Sequence, residues 1–165
     1  MQLYKQIASV LGIGFIKGGG TVAAILYCII WLLLPAGYVV SYWQVAVAIL
    51  IIIIGSWSSN VVEQQWGKDS SKVVIDEVSG MAITLLYAPH NLLYLLIGLV
   101  LFRFFDILKP VGIRSMEKLP GGIGVMADDI LAGVYAFFVL QIVVICQANY
   151  FRRIRIINIQ RKIIC

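Results

Sequence analysis

The sequence predicts an all-α, polytopic membrane bundle of about four spans, with a broken or re-entrant segment near Pro89. Three observations predict it. Hydrophobic residues make up 61% of the 165 positions and charged residues only 13%, whereas a soluble domain averages about 45–50% and about 25%. Mean hydropathy is +0.96. Charges stop at Lys17 and resume at Glu63, vanish between Glu77 and Arg103, and vanish again between Asp129 and Arg152. Each gap holds at least one span of about 20 residues. Disorder, a coiled coil, a secreted disulfide scaffold and a soluble zinc module are excluded on the same grounds. Cys28, Cys146 and Cys165 show no C-x-x-C spacing, and a single histidine could assist them.

Met1–Gly20 reads as an amphipathic lead-in ending in Gly18-Gly19-Gly20 before Thr21, without the long apolar core of a signal peptide. Val22–Leu34, continuing weakly to Val40, and Trp43–Ile54 form a helical hairpin, with Tyr38, Tyr42 and Trp43 at a membrane boundary. Ser56–Asp76 is a polar connection. Val78–Phe105 is interrupted by Pro89-His90-Asn91, so each half is short for a crossing. It is either one kinked span or a re-entrant pair. His90 itself reads as an interfacial or capping residue. Arg103–Asp129 is a second polar segment carrying Pro110, Pro120 and the Gly121–Gly124 turn, and Ile130–Phe151 crosses once.

Residues 1–151 thus make one membrane-embedded domain, followed by a basic tail, 152–165. Arg152, Arg153, Arg155, Arg161 and Lys162 hold five of the thirteen positive charges. Placed directly after a span, they suit anionic headgroups or a stop-transfer flank. The net charge of +5 therefore implies membrane lipids as partners and no nucleic acid.

Five of the eight acids stand at the edges of apolar segments: Asp76, Glu77, Asp106, Asp128 and Asp129. Carboxylates near hydrocarbon cost several kcal/mol unless paired, solvated or bound to a cation, so they mark a candidate site. Hard oxygen ligands of this kind suit Mg2+. Helix N-capping is the alternative for either acid pair alone. Small residues follow both pairs, Gly80 after the first and Ala132-Gly133 after the second, and close helix approach there would bring the acids together. Lys109 lies three residues after Asp106, on one face of a helix that Pro110 ends; Arg114 and Lys118 follow. A cation held by acids beside such basic groups is what transfer of a phosphate monoester requires. The loops Gly12–Thr21 and Gly121–Gly124 could present backbone amides to phosphate, or serve only as turns. No G-x-S-x-G elbow, C-x5-R loop or D-x-D-x-T signature is present, which disfavours serine, cysteine and aspartyl-phosphate mechanisms.

Three segments resemble the phosphatidylglycerophosphatase A family. They are Val74-Ile75-Asp76-Glu77-Val78-Ser79-Gly80, Phe105-Asp106-Ile107-Leu108-Lys109-Pro110, and Gly121 through Gly133, which is similar to that family's G-G-x-G-x-M-x-D-D-x-x-A-G motif. The stretch Gly12 to Gly20-Thr21 resembles its glycine-rich loop ending in P-G-T, with Gly19 where proline is common. The resemblance implies a Mg2+-dependent lipid phosphatase of the bacterial inner membrane that converts phosphatidylglycerophosphate to phosphatidylglycerol. It implies Asp76, Glu77, Asp106, Asp128 and Asp129 as metal-binding or catalytic acids and Lys109 as a phosphate contact. Gly20, Thr21 and Arg114 complete the expected phosphate-binding set. Attack by water is preferred over attack by a carboxylate, because no acid carries an aspartyl-phosphate signature.

One shared site requires Val78–Phe102 to enter and return, with the acid loops together on the cytoplasmic face; the basic tail then lies on the opposite face, against its charge. The rival readings are a CDP-alcohol phosphotransferase, whose D-G-x2-A-R-x8-G-x3-D-x3-D array is absent, and a cation transporter, which would place acids deep within spans.

Overall fold

The computed structural model describes the backbone of residues 1–39, 42–68, 70–110, 112–116 and 119–164, without the side chains of 38, 39, 151 and 154–164. Lys118, and the side chains of Arg155, Arg161 and Lys162, lie outside the described residues. Among those described, every regular element is helical: α1 (Gln2–Ala8), a 3-10 turn (Ile13–Phe15), α2 (Gly19–Leu33), α3 (Ala36–Val39), α4 (Tyr42–Trp66), α5 (Ile75–Thr84), α6 (Leu92–Leu108), α7 (Ile113–Met116) and α8 (Gly121–Ile164).

Among the described residues, two helices are long and apolar enough to cross a bilayer unaided, α4 and the Gly121–Tyr150 part of α8. The expected set of about four spans is not reproduced as four full-length helices. α2 stops at Leu33 after 15 residues, about 22 Å, with Leu34 as its C-cap and Pro35 next. The helices nevertheless expose an apolar outer surface, including Ile29, Ile49, Leu50, Ile53, Leu96, Val100, Phe138, Ile142 and Ile145. A water-soluble domain rarely shows so extended an apolar face. The α8 helix passes through the 151/152 boundary unbroken.

The segment 78–105 is broken into two helices joined by a turn. α5 runs for 10 residues, residues 85–91 turn, and α6 follows for 17. Unpaired backbone polar groups cost several kcal/mol at membrane depth, and here side chains from neighbouring helices meet them. Tyr87, held at φ +55°, donates its N–H to Oε1 of buried Gln44 at 3.0 Å, and Nε2 of Gln141 donates to the Leu86 carbonyl at 2.9 Å. Asn91 caps α6 by accepting from the Leu93 N–H at 2.8 Å, and His90 Nε2 lies 3.2 Å from the Trp31 carbonyl in the last turn of α2. Replacing Gln44 by Leu strands the Tyr87 N–H, and thermal unfolding in detergent should show a loss of about 1–3 kcal/mol.

The core lies between α2, α5, α6 and α8, around the fully buried Trp31, Met81, Leu85, Phe102 and Leu140. Glycine sets the closest crossing. A Cβ on Gly133 would stand 2.9 Å from the Gly80 Cα, and one on Gly80 would stand 2.6 Å from the Asp129 carbonyl oxygen. Thr84 fastens the crossing, donating from Oγ1 to the Gly80 carbonyl at 2.9 Å and lying 3.4 Å from that of Gly133. The small-residue approach expected from the sequence is thus present, and it sets the start of α5 beside the buried acids of α8.

Candidate active site

Four chain segments meet at one end of the bundle: the loop into α2, the first turn of α5, the last turns of α6 and the second and third turns of α8. They enclose a cavity of about 770 Å³ lined by Gly20, Thr21, Asp76, Glu77, Asp106, Lys109, Asp128 and Asp129. Every acid singled out in the sequence is there. One ligand oxygen each from Asp76, Glu77 and Asp129 lies within 4.8 Å of the other two. Asp106 lines the same cavity from the end of α6. Asp128 and Asp129 are 8% and 4% exposed, so their charges are largely withdrawn from water.

Helix starts explain part of this placement. Asp76 and Glu77 occupy the first turn of α5, where carboxylates complement unpaired amides. Only the Glu77 N–H to Asp76 Oδ1 bond, at 3.1 Å, is a local capping contact. Both side chains otherwise face the cavity, so capping does not account for them. Asp76 lies just ahead of the apolar part of α5. Burial, and then the charge of neighbouring Glu77, push its carboxyl well above the ordinary range.

The basic residues divide. Lys109 ends α6 in the left-handed conformation, φ +46° and ψ +56°, before Pro110. This turn sends its Nζ back to Oδ2 of Asp128 at 2.7 Å. Arg103 was not anticipated as a site residue, yet its Nη1 is 2.7 Å from Oδ2 of Asp106. That contact is an ion pair without aligned hydrogen-bond geometry, because Nη1 is buried and has no hydrogen-bond acceptor. Its i, i+3 spacing to Asp106 was the available sequence signal. Arg114 departs from expectation: it is exposed on α7 and does not line the cavity, because buried Ile113 turns the opposite side of that short helix inward.

The two glycine loops also divide. Gly18, at φ +79°, leads into α2, and Gly18, Gly19, Gly20 and Thr21 all border the cavity. A Cβ on Gly20 would stand 2.6 Å from Cδ of Glu77, so a bare Cα here seats that carboxylate against the start of α2. Gly19 donates its N–H to the Ile16 carbonyl at 2.9 Å, a bond proline could not make, and a Cβ there would stand 2.5 Å from the Ile13 oxygen. The stretch Gly121–Gly124, expected either to present amides to phosphate or to serve only as a turn, is the first turn of α8. It packs the start of α8 on α4, with a Cβ on Gly122 reaching 3.0 Å from the Asn60 Cα, and the Gly122 N–H lies 3.4 Å from Asn60 Oδ1. None of the three glycines, Gly121, Gly122 and Gly124, borders the acid cavity.

The donor set fits a hard divalent cation. Oxygens from two helices converge, and Oε2 of Glu77 is buried without a hydrogen-bond partner among the described residues, a state that costs free energy unless a cation or proton meets it.

The family model described as Phosphatidylglycerophosphatase A matches residues 6–144. The chain belongs to that family. It is an enzyme, a phosphoric monoester hydrolase. It is similar to a Bacteroides thetaiotaomicron protein with the name "Putative phosphatidylinositol-3-phosphatase", 42% identical over 80% of this chain and 90% of the relative. Phosphatidylglycerophosphatase A of Escherichia coli is 35% identical over 75% of this chain and 71% of its own. Phosphatidylglycerophosphatase A of Haemophilus influenzae is 46% identical over 44% of this chain and 45% of its own. No solved structure matches the chain. Membership in this phosphatase family sets aside the phosphotransferase and transporter readings, and the acids of all three motifs line one cavity.

Proposed function

We propose that this phosphatidylglycerophosphatase A family member hydrolyses the terminal monoester of phosphatidylglycerophosphate, giving phosphatidylglycerol and phosphate for phospholipid synthesis, with Mg2+ as cofactor. One observation carries the reading: carboxylates remote in sequence, Asp76, Glu77 and Asp129, converge within 4.8 Å beside two ion-paired cations. Asp76, Glu77 and Asp129 would hold the cation, with Asp106 and Asp128 next to them. Bound there, Mg2+ would neutralise charge on the phosphoryl group and acidify water.

Lys109 and Arg103 are set to meet the phosphoryl oxygens, exchanging part of their pairing with Asp128 and Asp106 for the substrate. Gly20 and Thr21 offer the start of α2 on the other wall, where unpaired amides favour an anion. A water oxygen bonds to phosphorus as the bond from phosphorus to the glycerol oxygen breaks. The proton leaving the water is taken up by a cavity carboxylate, and a proton returns to the glycerol oxygen.

The site would face the cytoplasm of a bacterial inner membrane. Lys5, Lys17, Lys68, Lys72, Arg103, Lys109 and Arg114 all lie at the site end, against five positive charges in the tail at the other end of α8. The larger Lys/Arg count is the one retained inside.

Stripping with EDTA should abolish phosphate release from phosphatidylglycerophosphate by purified protein, and added Mg2+ should restore it. Full activity in EDTA would overturn the metal assignment. A second substrate is favoured by the Bacteroides relative, whose name specifies phosphatidylinositol 3-phosphate. The same assay run on that lipid ranks the two by kcat/KM.

A further inference from the structure

We propose that Lys17 and Lys72 form an outer anion subsite at the mouth of the acid cavity, binding the diester phosphate of a lipid whose monoester phosphate lies at the acids. The site would thereby select lipids carrying both kinds of phosphate. This rests on the reading of the cavity as a lipid phosphatase.

Both lysines are exposed and border the same cavity as Asp76 and Asp129, from two different loops. Those loops are fixed to one another through backbone. The Gly14 Cα lies against the Lys72 carbonyl, where a Cβ would come 2.7 Å from the carbonyl carbon, and Val74 donates its N–H to the Ala8 oxygen at 2.9 Å. Lys72 is further placed by two rings. Its Nζ lies 5.7 Å from the Trp66 ring centroid and 5.9 Å from that of Phe15, and the rings themselves pack edge to face at 5.7 Å. Such a cradle holds an ammonium group while leaving it free to meet an anion.

The surroundings of the lysines fit the level of lipid headgroups. Leu11, Phe15 and Ile16 are 85%, 61% and 58% exposed on the same loop as Lys17, and apolar and aromatic side chains next to lysine are what a membrane interface favours. The diester phosphate, tied to the acyl chains, stays near this level when the monoester reaches the acids. The inner cations are already engaged, Lys109 with Asp128 and Arg103 with Asp106. A second phosphate therefore needs cations of its own, and the mouth supplies them.

The test uses the full chain in neutral-detergent micelles, so that neighbouring molecules carry no anion. KM for phosphatidylglycerophosphate and the inhibition constant of inorganic phosphate, which reads the inner site alone, are measured for the wild type and for Lys17→Gln/Lys72→Gln. Loss of two charge-assisted contacts should raise KM about tenfold or more with kcat little changed. The phosphate inhibition constant should stay where it was. An unchanged KM, a fall confined to kcat, or equal rises in KM and in the phosphate constant would each overturn the subsite. A wild type that releases no phosphate brings down the parent reading, and the subsite with it.

Discussion

Asp129→Asn is expected to lower phosphate release by roughly 10³-fold, the scale of removing one electrostatic group from a desolvated active site. The size of the effect follows from where Asp129 stands. It alone among the α8 acids shares the close oxygen cluster with Asp76 and Glu77. An amide keeps the shape but carries no charge and presents an NH2 where a cation needs an oxygen lone pair. Because the native carboxylate is buried among other acids, the neutral amide should leave the fold intact or slightly more stable. Steady-state phosphate release combined with thermal unfolding checks both halves. An active Asp129→Asn protein would remove Asp129 from the site.

The second large effect is structural. Gly133→Leu should destabilise the protein by about 3 kcal/mol or more, at the upper end of the cost of overpacking a close contact. The added side chain has no room, because the backbone of Gly80 already occupies the position of a Cβ. Forcing α5 from α8 separates Asp76 and Glu77 from Asp129, so activity should fall together with the unfolding temperature. Gly37→Ala is the control, since nothing lies within 4 Å of a Cβ there. Equal behaviour of the two variants in thermal unfolding would show that the crossing does not depend on glycine.

Charge gaps in the sequence located the helical regions, and the expense of carboxylates beside hydrocarbon located the site. Gly80 and Gly133 could be read as a close approach because small residues followed both acid pairs. What stayed hidden depended on partners remote in sequence. Nothing near Tyr87 announces that Gln44 and Gln141 satisfy the turn that breaks residues 78–105 into two helices. Gly20 read as one glycine among several, and its reason is the carboxylate of Glu77, 57 positions later. Arg103 read as the edge of an apolar run, although its spacing to Asp106 already suited a pair on one helix face. Arg114 was misplaced because a basic residue near a motif carries no information about which way a short helix turns it.

The most direct test of the central claim is product analysis. Purified wild-type protein with Mg2+ is given phosphatidylglycerophosphate, and lipid and water-soluble products are identified by mass spectrometry beside an equally well-folded Asp129→Asn sample. The account predicts phosphatidylglycerol and inorganic phosphate in equal amounts from the wild type, and unreacted substrate from the variant. Cleavage at the diester, releasing a water-soluble glycerol phosphate, or no phosphate from folded, Mg2+-supplied protein would contradict it.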